Sequence, residues 1–159
     1  MKISGRANFA SSLDFKRLVN ESRARGAQRF IVDLAACPVM DSTFLGVLAS
    51  LGTRLSADNL PPEQRPIELL NPSPKVADLI DNLGVLQCFR VVQGSSPEQL
   101  NFAAVESVGA SKLELSRNCL EAHQVLMELN PENVAKFKDV AKFFAEDVAK
   151  QETEDGKSN

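Results

Sequence analysis

Val39-Met40-Asp41-Ser42-Thr43-Phe44-Leu45-Gly46 is the stretch on which the reading of this chain turns. Before it lies a short apolar segment, Phe30-Ile31-Val32-Asp33-Leu34, rich in β-branched residues as a buried strand would be. After it Leu45, Leu48, Leu51 and Leu55 recur at helical spacing. An acid and two hydroxyls therefore stand where a strand hands over to a helix. Backbone N–H groups at a helix start are unpaired, and Asp, Ser and Thr are favoured there as caps, each worth about 1 kcal/mol over alanine. The same free N–H groups can also hold an anion. On the residues alone, Asp41-Ser42-Thr43 reads either as a cap or as a site.

The pattern extends outward from there. Upstream, Lys2–Ser4 is a candidate strand, and Ser11-Ser12-Leu13-Asp14 has the form of a helix start, with Gly26 as the stop. Downstream, the proline-rich stretch Ala57–Pro66 reads as a loop and Ile67–Leu70 as the next strand. Ser73-Pro74 opens a third helix with the apolar stripe Val76, Leu79, Ile80, Leu83, closed by Gly84, and Gln87–Val92 is a last strand. Strand and helix alternate three times before that strand, which predicts an α/β domain with a largely parallel sheet and helical crossovers.

Past Gln93-Gly94-Ser95-Ser96-Pro97 the character changes. A short helix is expected within Pro97–Glu106, then two long amphipathic helices. Leu115, Cys119, Ala122, Leu126 and Leu129 mark one; Val134, Phe137, Ala141, Phe144 and Val148 mark the other. Asn130-Pro131-Glu132 is cap, first-turn proline and first-turn acid, so the two fold back as an antiparallel hairpin. The expected organisation is a domain over 1–94, a linker with a short helix over 95–110, a helical hairpin over 111–150 and a flexible tail over 151–159. Phe137 and Phe144 should face the hairpin partner. Phe143 is left to dock onto the sheet domain or onto a second chain, and self-association through these helices is one expectation.

Composition excludes several classes. The 159 residues carry a net charge of −3 with scattered Lys and Arg, which argues against a nucleic-acid footprint. Three separated cysteines, Cys37, Cys88 and Cys119, fit a reducing compartment better than a disulfide frame. No run reaches transmembrane length and the first residues turn polar too soon for a signal peptide, so a cytoplasmic protein is expected. A single histidine, His123, is read as a helix-surface residue, and Ser4, Ser42 and Thr43 have no base assigned to them. With dispersed glycines there is no phosphate-cradling loop. Neither a cofactor nor a metal site is expected, and an enzyme is the least favoured class.

Leu34 through Gly46, with Met40-Asp41-Ser42-Thr43 followed by Leu45-Gly46, resembles the signature of STAS domains, a family that includes bacterial anti-sigma-factor antagonists. Gly5 and the segment after it resemble the family's early turn, and Leu83-Gly84-Val85 its corner before the last strand. The resemblance covers the first two-thirds of the chain. It implies a non-enzymatic partner-switching module of transcription regulation, whose second motif hydroxyl is phosphorylated by an anti-sigma serine kinase. By position that hydroxyl is Thr43, with Ser42 as the fallback and Asp41 as the neighbouring acid. The same resemblance implies a partner surface at Asn8, Asp41, Ser42, Phe44 and Gly46. Two positions depart from the family pattern: Phe44 replaces a glycine, which would put a bulky ring on the partner surface, and Asn8 replaces an acid. The N-terminus also lacks room for an edge strand common in the family. An alternative within the family is an accessory subunit of a membrane transport ATPase; a third reading is a structural module in which the hairpin builds a dimer.

Overall fold

In a computed structural model, which describes residues 1–56, 60–95 and 102–157, the elements run β1 (Lys2–Ser4), α1 (Phe9–Ala24), β2 (Phe30–Ala36), α2 (Ser42–Leu55), β3 (Ile67–Leu70), α3 (Pro74–Asn82), β4 (Arg90–Val92), α4 (Lys112–Leu129) and α5 (Asn133–Lys157). The four strands form one sheet in the order β1-β2-β3-β4, and every pair is parallel. Right-handed crossovers between successive neighbours put α1, α2 and α3 on the same face. The strand residues agree. Phe30, Val32 and Leu34 with Ile67 and Leu69 join Phe15, Val19, Leu45, Leu48, Val76 and Ile80 in a single core. The opposite face carries exposed Ile31 and, in register with it, an ion pair between Glu68 and Arg90 at 3.0 Å. β1 lies at one edge of the sheet and β4 at the other.

The expected strands and the five long helices are found, with shifted ends. Helix α1 starts at Phe9 rather than after Ser11, because Asn8 is the cap: its side chain accepts from the N–H groups of Ala10 and Ser11, and the Ser11 hydroxyl returns the bond to the Asn8 N–H. The last strand is shorter than expected because Leu86–Cys88 form a single 3-10 turn ahead of it. The part of Pro97–Glu106 within the described residues, 102–106, is not helical, and the rest of that expectation lies outside them. The tail does not begin at 151, since α5 runs on to Lys157.

The C-terminal helices pack against each other, and α4 lies across α2 and α1. Helix α2 explains why. Residues 43–52 are buried without a break, so the helix is covered on the sheet side and on the opposite side. A helix apolar on all sides must be covered on all sides. A Cβ built on Gly46 would sit 2.5 Å from the main-chain oxygen of Ala122, so the two helices approach closely at that point. The hairpin turn is fixed to the end of α3: Asn133 Nδ2 donates to Leu83 O at 2.9 Å and to Leu126 O at 2.8 Å, and Lys136 Nζ donates to Asn82 O at 2.8 Å. Phe143 docks on neither the sheet nor α4. It is 60 % exposed, and its ring meets Phe144 edge to face.

Candidate functional site at the amino end of α2

Two loops bring the motif together. The N–H of Asp41 donates to Ala7 O at 2.9 Å and the N–H of Ala7 to Val39 O at 3.1 Å, so the starts of α1 and α2 sit side by side. Asp41 caps both. Its Oδ1 accepts from the Phe44 N–H at 2.8 Å and its Oδ2 from the Phe9 N–H at 2.7 Å. One carboxylate thus satisfies an orphan N–H at each of two helix ends. Asn8, Asp41 and Ser42 are therefore neighbours.

Phe44 and Gly46 are not part of an exposed face. Phe44 is 2 % exposed and its ring packs on Phe15 at 5.2 Å, so the bulky replacement fills the core instead of a surface. Gly46 is covered by Ala122 of the same chain. Side-chain direction is the reason: Asp41 as N-cap places Phe44 in the first turn facing the sheet and α1, and Gly46 facing α4.

The hydroxyls are covered too. Thr43 is 5 % exposed, with its Oγ1 donating to Cys119 Sγ at 3.9 Å. Ser42 is half-buried and its Oγ lies 3.0 Å from His123 Nε2. His123 is the correction with most consequence. It is not a surface residue but buried, between Phe137 at 4.9 Å and Phe144 at 6.3 Å. Its Nδ1 faces Cys119 O at 2.8 Å. A carbonyl can only accept, so Nδ1 carries the proton and, in the neutral ring, Nε2 accepts from the Ser42 hydroxyl. Ser42 therefore does have a base beside it, contrary to the expectation from sequence. Behind that base stands a main-chain carbonyl.

Burial pushes the His123 imidazole below its ordinary value, against the Cys119 carbonyl and the charge of Asp41, which pull it up. The unfolded chain then takes up a proton at a higher pH than the folded one. Stability is full above the ordinary histidine range and falls as pH drops through about 6.5 toward the depressed value. We expect the thermal midpoint to drop between pH 7.5 and 5.5, above the range where carboxylates titrate, and His123→Gln to reduce that slope. The Met1 ammonium, whose pKa burial also lowers, supplies a further part. A slope unchanged in the variant would assign the effect elsewhere.

Ser42, Thr43, Cys119 and His123 line a hollow of about 440 Å³ together with Phe9 and Phe144, so the half-buried Ser42 is the motif hydroxyl nearer to solvent. Around the covered face, charges pair in one sense. Lys16 Nζ meets Glu121 at 2.6 Å, Arg54 also pairs with Glu121, and Arg17 meets Glu114 at 2.9 Å. Burial works against the Glu121 charge, but Lys16 and Arg54 outweigh it and hold its carboxyl below the ordinary value. The three cysteines are free and buried. Among the described residues there is no cluster of side chains that could hold a metal ion, and no helix is long and apolar enough to cross a membrane.

A parallel strand–helix domain whose second helix opens on Asp-Ser-Thr agrees with a family model of the STAS domain, which matches residues 1–96. The chain belongs to the STAS family. No curated protein and no solved structure matched it. The STAS domain thus ends a few residues beyond β4, and the hairpin that covers its motif lies outside the matched region. STAS domains are generally non-enzymatic binding domains. The motif itself was legible in sequence. The histidine and the cysteine that touch it were not, because they come from 76 and more residues downstream.

Proposed function

We propose that this STAS protein is a non-enzymatic regulatory binding module of the anti-sigma-factor-antagonist type, switched by phosphorylation at the start of α2. The observation that carries it is the hydroxyl pair Ser42-Thr43 directly after the Asp41 cap, at the amino end of a helix in a STAS domain. A phosphate there gains the free N–H groups of the helix start but faces the Asp41 carboxylate, so the fold is kept while the surface potential changes sharply. Such a change can break a protein contact without unfolding either partner.

Thr43 is the proposed acceptor by its place in the motif, and Ser42 the alternative. The two differ in access. Both line the hollow, but Ser42 is half-buried whereas Thr43 is 5 % exposed beneath α4. The proposed partner is a serine kinase of the anti-sigma type. For the rival partner, a transport ATPase, a bulky Phe44 on the partner surface would be some support. Phe44 is buried, which removes that support.

The test is incubation with kinase fractions from the source cell, with phosphosites mapped by mass spectrometry. Phosphate on Thr43 or Ser42, and at least a tenfold loss of partner binding for Thr43→Glu, is the expected result. No phosphate on either residue, with unchanged binding, overturns the reading.

A further inference from the structure

The surface beneath α4 has the character of a separable interface. Among the described residues eight polar side chains are buried: Ser12, Asp33, Thr43, Ser50, Ser116, Asn118, His123 and Asn133. Ser12 and Asn118 bond each other between α1 and α4, Thr43 and His123 each bond across the α2–α4 seam and Asn133 ties the hairpin turn to Leu83 O, whereas Ser116 bonds Asp147 within the hairpin. A core that forms once and stays closed is apolar, whereas interfaces that part and rejoin are more polar. Packing there is also incomplete. Asn118 Nδ2 donates to Ser12 Oγ at 2.8 Å, but its buried Oδ1 has no hydrogen-bond partner. An orphaned buried acceptor costs stability in the closed state and regains a partner once it meets water.

The two sides are complementary in charge and in shape. The domain side supplies Lys16, Arg17 and Arg54; the helix side supplies Glu114 and Glu121. Between them Gly46 admits a main chain so closely that only a small side chain fits opposite it, and Ala122 is that residue.

We infer that the α1–α2 face of the STAS domain is a docking surface for an acidic amphipathic helix, and that the chain's own α4–α5 hairpin is its resident occupant, which must lift before a partner helix can bind. The helix that fits carries two acids seven residues apart and a small residue directly after the second, the pattern Glu114, Glu121, Ala122. This inference rests on the reading above for the place of the surface only. It needs neither a kinase nor a phosphate.

The experiment has two arms on the full chain. The three buried cysteines report opening without denaturant, using a thiol reagent with peptide mapping. Cys119 touches Thr43 across the interface, while Cys37 and Cys88 belong to the domain core. In the wild-type chain Cys119 should be labelled at least tenfold faster than Cys37 and Cys88. Equal rates for all three mean that hairpin and domain open as one unit and overturn the proposal. The second arm uses Ala122→Glu, which alters the hairpin and leaves the domain face intact. A fluorescein-labelled peptide of residues 111–157 should bind this variant, read by anisotropy, and bind the wild-type chain at least a hundredfold more weakly. No binding to the variant, or equal binding to both, overturns the proposal. Because no kinase is present, failure here is distinct from failure of phosphosite mapping.

Discussion

Phe44→Ala is expected to destabilise the protein by about 3–5 kcal/mol, the usual cost of removing a buried aromatic side chain. Its ring is packed on Phe15 beneath α2 and has almost no exposed surface. For a chain of this length, each kcal/mol lowers the melting temperature by about 2–4 °C, so the midpoint should fall by roughly 6–20 °C. Chemical denaturation of wild type and variant checks this directly. Had Phe44 stood on a partner surface, as the motif alignment suggested, the change would cost less than about 0.5 kcal/mol and act on binding instead. A variant of near wild-type stability would therefore return Phe44 to the surface.

Asn133→Ala should release the hairpin from α3. The Asn133 amide is fully buried and bridges Leu83 O and Leu126 O, one carbonyl from the STAS domain and one from α4. Removing it takes one donor from each carbonyl; Leu83 O keeps Asn130 Nδ2 at 3.3 Å and Leu126 O keeps the Asn130 N–H at 3.2 Å. The expected loss is about 1–3 kcal/mol, counting each of the two lost hydrogen bonds at about 0.5–1.5 kcal/mol. The distribution of the loss matters more than its size. Amide exchange should accelerate in α4 and α5 while β2 and β3 stay protected. Uniform acceleration across the chain would show instead that Asn133 supports the whole fold and not the attachment of its last two helices.

The sheet and its crossovers were legible because each element carries its own period. Val76, Ile80 and Leu83 are apolar at helical spacing with a Ser73 cap before them and a Gly84 stop after, and α3 follows that plan. The seat of the hairpin was not legible from α4, because the residues it presses on α1 and α2 are small or polar. Asn118 looks like a solvent-facing residue until its partner Ser12 is known, and so does His123. The signal that could have found it lies in α2. Between Thr43 and Gly52 no charged residue marks a wet side, and one sheet cannot cover a helix all round. Something had to lie on its back, and the chain offered only one unpartnered pair of helices. The motif was misread for a related reason. Aligning Asp41-Ser42-Thr43 with its family fixes the cap, but the outward direction of Phe44 was inferred from the glycine it replaces, and an aromatic ring in the first turn of α2 finds Phe15 instead.

The 19 residues between the end of β4 and the start of α4 give the covered motif a further property. A tether of that length holds the hairpin at an effective concentration on the order of millimolar beside its own seat. Any helix arriving from solution competes against that standing concentration, so equal contacts are not enough to displace the resident. It must bind more tightly in proportion, or arrive when the hairpin has been weakened. The length of that connection thus sets the threshold at which the motif answers its surroundings.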